Sequence, residues 1–600
     1  MAAVLGANAS IYYVSSSGTD TNSGLSIPAA WRSPARANSQ TLAPGDQVLF
    51  EGGTTFTGSV IVASPDTSSA ANPIVFASYG TGRATINGGT ANGFYATNRA
   101  GIVVSNLNFA GSGRLTSTGN GIYFVNGGGT PNLLDYARVD HVDVSGFNRG
   151  IFFYGNTTTN GFRDVRVTNA DVHDNARSGI ETYALARLHT NFYVGWCRVW
   201  NNTGVAGAAN HTGDGIVLGN INTALIEHCV SWTNGWIGDA SVGIWCWDAN
   251  RVTMQFCESH HNGTSGSKDG GGFDIDGGST DCVAQYNYSH DNTGAGIGIY
   301  QYVGAAPFSN NIVRFNISQN DGRKNDYSPI TLWNGGSGVD NVDIYNNTIY
   351  VASAPSSTPR AVYFMTSVSN VRFRNNCFIT TNGLQMVYAA NSQPGVLFQG
   401  NNYWPSGGAF SVKWGTKTRA SLAAWRSSDG QEMIGTTNVG FNLDPQLVSP
   451  GGGGTLGDTT LLPILTAYQL KPWSPLCEAG LDLLALFGLA PGPQDFFANP
   501  VPNGLAQDIG AQDAQLVVPL TSPQIESGYF TASYQRGSPA RVGLDYQSQV
   551  SGDFVNWCTN CAVPVLTNVL GDGSELVKLR GTTPASGSPG QFMRMSVRRR

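Results

Sequence analysis

The sequence predicts an all-β chain: a solenoid of stacked parallel coils with a small antiparallel β-sandwich behind it. Three observations predict it. A motif of nearly constant length recurs through the middle of the chain, Asn and Cys fall at matching places in successive copies, and the short apolar stretches alternate with period two. Six hundred residues exceed what one compact core organises, but a solenoid escapes that limit because each coil packs only on its neighbours. Composition agrees. Charged residues make up 12% of the chain, against about 25% in an ordinary domain. The 77 Gly residues suit turns and strands more than helices.

The repeat is an apolar alternating stretch, a small or amide residue, a short strand, an Asn, and then Gly-apolar-x-apolar. It reads as ADVHDNARSGIETY, CVSWTNG…VGIWCW, CESHHNG…GGFDID and NYSHDNTGAGIGIY. Aligned, the copies place Ala170, Cys197, Cys229, Cys257, Asn287, Asn316, Asn346 and Asn375 in one column, with spacings of 27, 32, 28, 30, 29, 30 and 29 residues. Asn175, Asn202, Asn234, Asn262 and Asn292 form a second column. Stacked coils lie about 4.8 Å apart, so an Asn repeated at a turn bonds to the Asn above and below and satisfies groups the turn would otherwise bury unpaired. The three Cys of the first column read as an interior stack of small apolar residues. Each coil carries strands of two to five residues. In 272–276 the alternation points Phe273 and Ile275 inward and Asp274 and Asp276 outward. No hairpin signals interrupt the copies, so the strands pair in parallel.

The ends are built differently. Residues 10–60 read as an N-terminal cap region, with a short helix over 31–42, a turn at Pro44-Gly45-Asp46 and a strand at 47–50. The repeats fade after Asn402, and 403–513 is an irregular Gly/Pro-rich part of the same 10–513 domain. Residues 515–600 alternate in the manner of a small β-sandwich accessory domain. Residues 1–10 are small and apolar, as in the remnant of a trimmed signal peptide. The expected location is therefore outside the cytoplasm, extracellular or periplasmic.

The net charge of −6 argues against a basic nucleic-acid surface, and no apolar run reaches membrane-spanning length. Nine Cys leave at least one unpaired. Cys558 and Cys561 form a C-x-x-C with no second pair for zinc, which reads as a local disulfide or two half-buried thiols. No metal-ligand set stands out. A monomer is expected.

The coils, the opening YYVSSSGTDTNSG…GDQVLF and the closing LKPWSP…NP…DIGA resemble the right-handed parallel β-helix class of bacterial carbohydrate-active proteins, over about residues 10–513. The tail, with SGDFVNW and QFMRMSV, resembles accessory domains of secreted bacterial enzymes. The resemblance implies a glycan-cleaving face. Polygalacturonase-like hydrolases of the class carry an Asp before or on the Gly-apolar-x-apolar strand, where this chain has Asp214 in HTGDGIVL and Asp274 and Asp276 in GGGFDIDGG. Their paired Asp-Asp-Cys and Gly-His-Gly signatures are missing. Hydrolases of fucosides and xylans look closer in style. A related lyase family has Lys where this chain has Asp274, a departure that counts against elimination.

Read coil by coil, one outward line is Glu181, Val217, Trp245, Asp274, Gly298 and Thr331. The next is Tyr183, Gly219, Trp247, Asp276, Tyr300 and Trp333. Stacking turns these into a strip of carboxylates flanked by aromatic rings, the combination that grips and hydrolyses sugars. Asp274, Asp276 and Asp214 are the leading acid and base, with Glu181 and Asp248 behind them. Tyr183, His211, Trp245, Trp247, Lys268, Tyr300 and Trp333 are expected to bind a polysaccharide or oligosaccharide. No cofactor is required, although calcium on Asp274 and Asp276 with Asp269 or Asp248 is an alternative use of the acids. Two rival readings remain open at this point. One is a polysaccharide lyase acting on a uronate polymer, with Lys268, Arg323 or Lys324 near the site. The other is a glycan-binding solenoid without catalysis.

Overall fold

The computed structural model describes residues 9–129, 132–208, 210–515, 520–537, 544–559, 561–571, 574–587 and 591–599. Residues 1–8, most of the expected leader remnant, lie outside them. Parallel pairing begins with Ile11–Val14 against Gln47–Glu51 and continues to Val387–Ala389 against Val412–Trp414. Within one coil, Arg149–Gly155 pairs with Asn120–Asn126, while Gly161–Thr168 and Asp171–His173 both pair with Leu133–Ser145 of the coil before. The chain is thus a parallel β-helix. Its interior is a continuous apolar column in which Phe124 stacks on Phe153 at 4.8 Å and Cys197, Cys229 and Cys257 are fully buried free thiols.

The Asn ladders are present. Asn175, Asn202, Asn234, Asn262 and Asn292 each donate from Nδ2 to the next coil, at 2.8–3.1 Å, and the run ends on Asp321. The first column needs a correction. From Asn316 the interior ladder continues through Asn347 and Asn376 to Asn401, not through Asn346 and Asn375. It ends on Glu432, which accepts from Asn401 at 2.7 Å. Asn346 and Asn375 instead occupy the bend one residue earlier, in a column with Asn169, Trp196, His228, Phe256, Tyr286 and Phe315, all with φ between 50° and 59°. That left-handed backbone costs a non-Gly residue about 1–2 kcal/mol. The Asn members donate out of the bend, Asn169 to Asp140, Asn346 to Asp508 and Asn375 to Leu481. The aromatic members offset the cost by stacking, Trp196 on His228 at 4.1 Å and Phe256 on Tyr286 at 5.0 Å, pairs worth about 0.5–1.5 kcal/mol.

Three further expectations change. The helix is only Pro34–Asn38, because Ser33 caps it and Trp31 is drawn into a bridge with Val14 and stacked on Tyr12 at 4.7 Å. Strands are not limited to five residues: Asp214–Glu227 and Val242–Gln255 run for 14, turning corners through left-handed residues such as Asn220 and Asp248 instead of loops. Coiling also outlasts Asn402. It ends at Val412–Trp414, where the helix Leu422–Asp429 closes the solenoid with Trp425 fully buried, 5.1 Å from Phe398 and 5.6 Å from Trp414.

The irregular segment then returns along the coils as a strap. Gly453 bonds to Gln319, Leu456 and Gly457 donate to Glu258, and Asp508 and Gly510 accept from Asn346. The tail holds two antiparallel sheets, of four and three strands, whose facing residues Tyr534, Val577, Leu579, Tyr546 and Met595 share a core. Cys558 and Cys561 are joined as a disulfide.

Candidate active site

Turn length decides where the wall forms a pocket. On one flank of the repeated Gly-apolar-x-apolar strand the connections are 112–119 in one early coil and shorter in the next two, 146–148 and 174–177. They then lengthen sharply to 201–213, 233–241 and 261–270. On the other flank, strands Asp214–Glu227 and Val242–Gln255 carry straight on with no loop. The long turns stand over the strand as a rim, and the open corner leaves its outward residues reachable.

The pocket, about 490 Å³, is lined by Tyr183, Asn210, His211, Asp239, Trp245, Trp247, Lys268, Asp269, Asp274, Asp276 and Tyr302, among others. The register that carried the sequence argument holds here: Glu181 faces Val217, Val217 faces Trp245, Trp245 faces Asp274, and the line continues through Gly298 to Thr331. Residues distant in the chain therefore share one wall.

The carboxyl groups differ in environment. Asp274 is 2% exposed, and its Oδ1 has no hydrogen-bond partner. Burial, reinforced by the charges of Asp276 and Asp269, pushes its carboxyl well above the usual range. Asp276 is raised by burial to about 6, held from going further by the Gly277 N–H at 2.6 Å and the nearby His211. Asp269 is raised to about 7 by burial and by Asp276, with the Tyr327 hydroxyl pulling the other way. Three acids thus compete for charge in one pocket, so their protonation states separate. His211 supplies the positive counterpart. Burial alone would lower it, but Asp214, hydrogen-bonded at 2.7 Å, with Glu181 and Asp276 beyond, outweighs burial and holds the imidazole at about 9.

Asp214 lies beneath the pocket, 1% exposed. It binds His211 through Oδ2, and its Oδ1 accepts the Trp245 indole N–H at 3.1 Å and the Val242 N–H at 3.2 Å. Every strong contact it makes orients another pocket residue. Trp245 is itself 4% exposed and shows only part of its ring. Two other predicted acids sit apart from the lining. Glu181 is held by Arg149 and by Ser178, both at 2.6 Å. Asp248 is clamped by Arg187 at 2.7 Å and by Asn220 at 2.8 Å. Tyr300 packs with Tyr327 and Trp333 beside the lining, where the Tyr327 hydroxyl accepts from the Asp269 N–H at 2.9 Å. The basic residues weighed for elimination are partly engaged elsewhere: Lys324 donates to the carbonyls of Thr264 and Ser265, and Arg323 to those of Ala352 and Ser353. Lys268 is exposed at the rim.

Sequence reasoning brought Asp269 in only as a calcium ligand, and it missed Asp239, Asn210 and Tyr302. All four lie in turns, outside the strand alternation that guided the selection. The fixed signal at Asp269 is the Asp269-Gly270 pair, two successive positive-φ residues ending the turn before the strand. Among the described residues, the only three His, Cys, Asp or Glu side chains with ligand atoms within 4.8 Å of one another are Glu258, His260 and His290. They lie on the paired strands Glu258–His260 and Tyr288–His290, under the strap. The calcium arrangement on Asp274 and Asp276 with Asp269 or Asp248 does not converge in this way.

A family model described as the right handed beta helix region matches residues 207–349. The chain is 26% identical to a lacto-N-biosidase of Bifidobacterium longum subsp. longum, over 87% of this chain and 37% of that protein. It therefore spans little more than a third of that relative's length. Among solved structures, a GH136 lacto-N-biosidase from Eubacterium ramulus shares 18% identity over 60% of this chain and 67% of its own, with a TM-score of 0.47. An alginate lyase from Paenibacillus sp. str. FPU-7 shares 14% over 61% of this chain and 96% of its own, with a TM-score of 0.31.

Proposed function

We propose that the chain is an exported glycoside hydrolase that cleaves an oligosaccharide or polysaccharide in the pocket lined by Tyr183, His211, Trp247, Asp269, Asp274 and Asp276. The observation that carries this reading is the gathering of three carboxyls, Asp269, Asp274 and Asp276, with His211 and aromatic rings in one pocket. Asp276, favoured in its ionised form by the Gly277 N–H and by His211, is the anionic partner at the anomeric carbon. Asp269, partly exposed and raised to about 7, is the acid that delivers a proton to the departing glycosidic oxygen. Asp274, whose carboxyl burial pushes well above the usual range, is favoured in its neutral form, which keeps the local negative charge low. His211, fixed by Asp214, positions and balances Asp276. Trp247, Tyr183 and Tyr302 supply apolar ring surface for the sugar. The likeness to a lacto-N-biosidase over most of the chain supports a glycosidase, and the Cys558–Cys561 disulfide suits an oxidising compartment.

The test is a panel of neutral and uronate-containing glycans, read for new reducing ends and for unsaturated ends absorbing in the ultraviolet. Wild type is expected to release reducing ends without ultraviolet absorbance, and both Asp269→Asn and Asp276→Asn to lose that release. Unsaturated products would replace hydrolysis with elimination, and full activity in both variants would remove the assignment.

A further inference from the structure

The pocket does not stand alone on its wall. A continuous row of aromatic rings leaves it toward the N-terminal end of the solenoid. Trp247 and Tyr183 line the pocket and lie 5.8 Å apart. Tyr183 is 5.8 Å from Tyr154, which stacks on Phe152 at 5.6 Å. Phe152 stacks on Tyr123 at 5.3 Å, and Tyr123 lies 5.4 Å from Tyr95. The register explains the row: Tyr95 pairs with Tyr123, Tyr123 with Phe152, and Tyr154 with Tyr183.

Three features separate this row from core packing. It lies on the outward side of the strand, and its four tyrosines are only partly buried. The turns beside Tyr154 and Tyr183, 146–148 and 174–177, are the short ones, while the turn before the Tyr123 strand, 112–119, is longer. Rings stacked along the axis cover one another's faces and turn their edges outward, and no protein group bonds the hydroxyls of Tyr95, Tyr123, Tyr154 or Tyr183 among the contacts of the described residues. A rigid row of phenolic hydroxyls spaced by the coil repeat is suited to the hydroxyl groups of a glycan lying along the axis. Charge points to the kind of glycan. The one cation in the row, Arg149, lies over Phe152 at 4.6 Å and is neutralised by Glu181 at 2.6 Å. Among the described residues the row itself therefore offers uronates or sulfates no unpaired cation; the other cations beside it are Arg177, in the adjoining turn, and Lys268, at the pocket rim.

We propose that this row is an extended subsite for a neutral oligosaccharide chain that reaches the pocket from the N-terminal side. From Tyr95 to Trp247 it spans five coil spacings, about 24 Å, enough for several sugar units. The inference rests on the pocket being the place of glycan cleavage and adds that the substrate is uncharged and longer than the pocket itself.

The experiment uses the full-length Asp276→Asn protein on an array of fluorescently labelled galacto-, xylo- and N-acetyllactosamine oligosaccharides and of oligogalacturonates, each from disaccharides upward. The expected result is at least tenfold tighter binding of long over short members in one neutral series, with no such gain among oligogalacturonates. In the Tyr123→Phe/Tyr154→Phe background, which keeps the rings and removes two hydroxyls, that ratio is expected to fall severalfold. Tyr123→Ala/Tyr154→Ala is expected to abolish it. Binding independent of length, a gain confined to oligogalacturonates, or a ratio untouched by the phenylalanine pair would overturn the proposal. Length-dependent binding by a wild type that cleaves nothing would sink the hydrolase reading and leave the row standing. Equal cleavage of short and long members, unaffected by either double variant, would do the reverse.

Discussion

Replacing Asp276 by Asn is expected to stabilise the protein while disabling it. Asp276 ionises near 6 in the fold and near 3.8 when unperturbed, burial being the main cause. Each unit of that difference is worth about 1.4 kcal/mol, so folding carries a cost of about 3 kcal/mol once the carboxylate is ionised. The sign follows from the raised folded pKa: the folded chain holds the proton more tightly. The cost is absent well below 3.8, grows as pH rises to 6 and is constant above. An amide of the same shape removes it. Unfolding entropy of about 2.1 cal/mol/K per residue over roughly 500 solenoid residues is about 1 kcal/mol/K, so Tm should rise by about 3 °C. Differential scanning fluorimetry of both proteins at about pH 8 and about pH 4 should show the gain at the higher pH and little at the lower. Cleavage, measured in parallel, should drop by about 10²–10⁴-fold. A variant less stable at the higher pH, or equally stabilised at both, would refute the reasoning that burial strains this carboxylate.

Other consequences follow from the same contacts. With Asp276 ionised and Asp269 protonated in the active form, kcat/KM against pH should be a bell with limbs near 6 and 7, and a profile flat across that range would contradict the pairing. His211→Gln removes the imidazolium that favours ionised Asp276, so the acidic limb should move to higher pH, and a limb that stays in place would show His211 to be electrostatically idle. Asn234→Ala deprives the Asn202 N–H and Nδ2 of their shared acceptor. Leaving buried donors unsatisfied costs about 1–3 kcal/mol each, so the urea midpoint should fall clearly, and an unchanged midpoint would mean the ladder is decorative.

Much of the fold was legible because a solenoid writes its geometry into the chain as a period. The Asn175–Asn292 ladder and the Glu181–Thr331 line came directly from spacing. The Asn346 and Asn375 error marks the limit of that method: bend and interior positions are both Asn, one residue apart, and only the 31-residue step from Asn316 to Asn347 separates them. The end of the coils was blurred because Trp414 and Trp425 close the solenoid by packing, which has no sequence period. At the site, Asp274 on the strand and Asp276 just past its end were visible through alternation. Asp269, Asp239 and Tyr302 were not singled out for catalysis or sugar binding, since the path of a long turn depends on what it packs against. Nor does sequence reveal that Asp214, Glu181 and Asp248 spend their oxygens on Trp245, Arg149 and Arg187.

The claim on which the rest hangs is that the pocket carboxyls add water across a glycosidic bond. Cleaving a responsive glycan in heavy-oxygen water and weighing the products by mass spectrometry tests it most directly. The account predicts one heavy oxygen per new reducing end with wild type and no product with Asp276→Asn. Unlabelled unsaturated fragments, or labelled product undiminished in the Asp276→Asn and Asp269→Asn proteins, would contradict it.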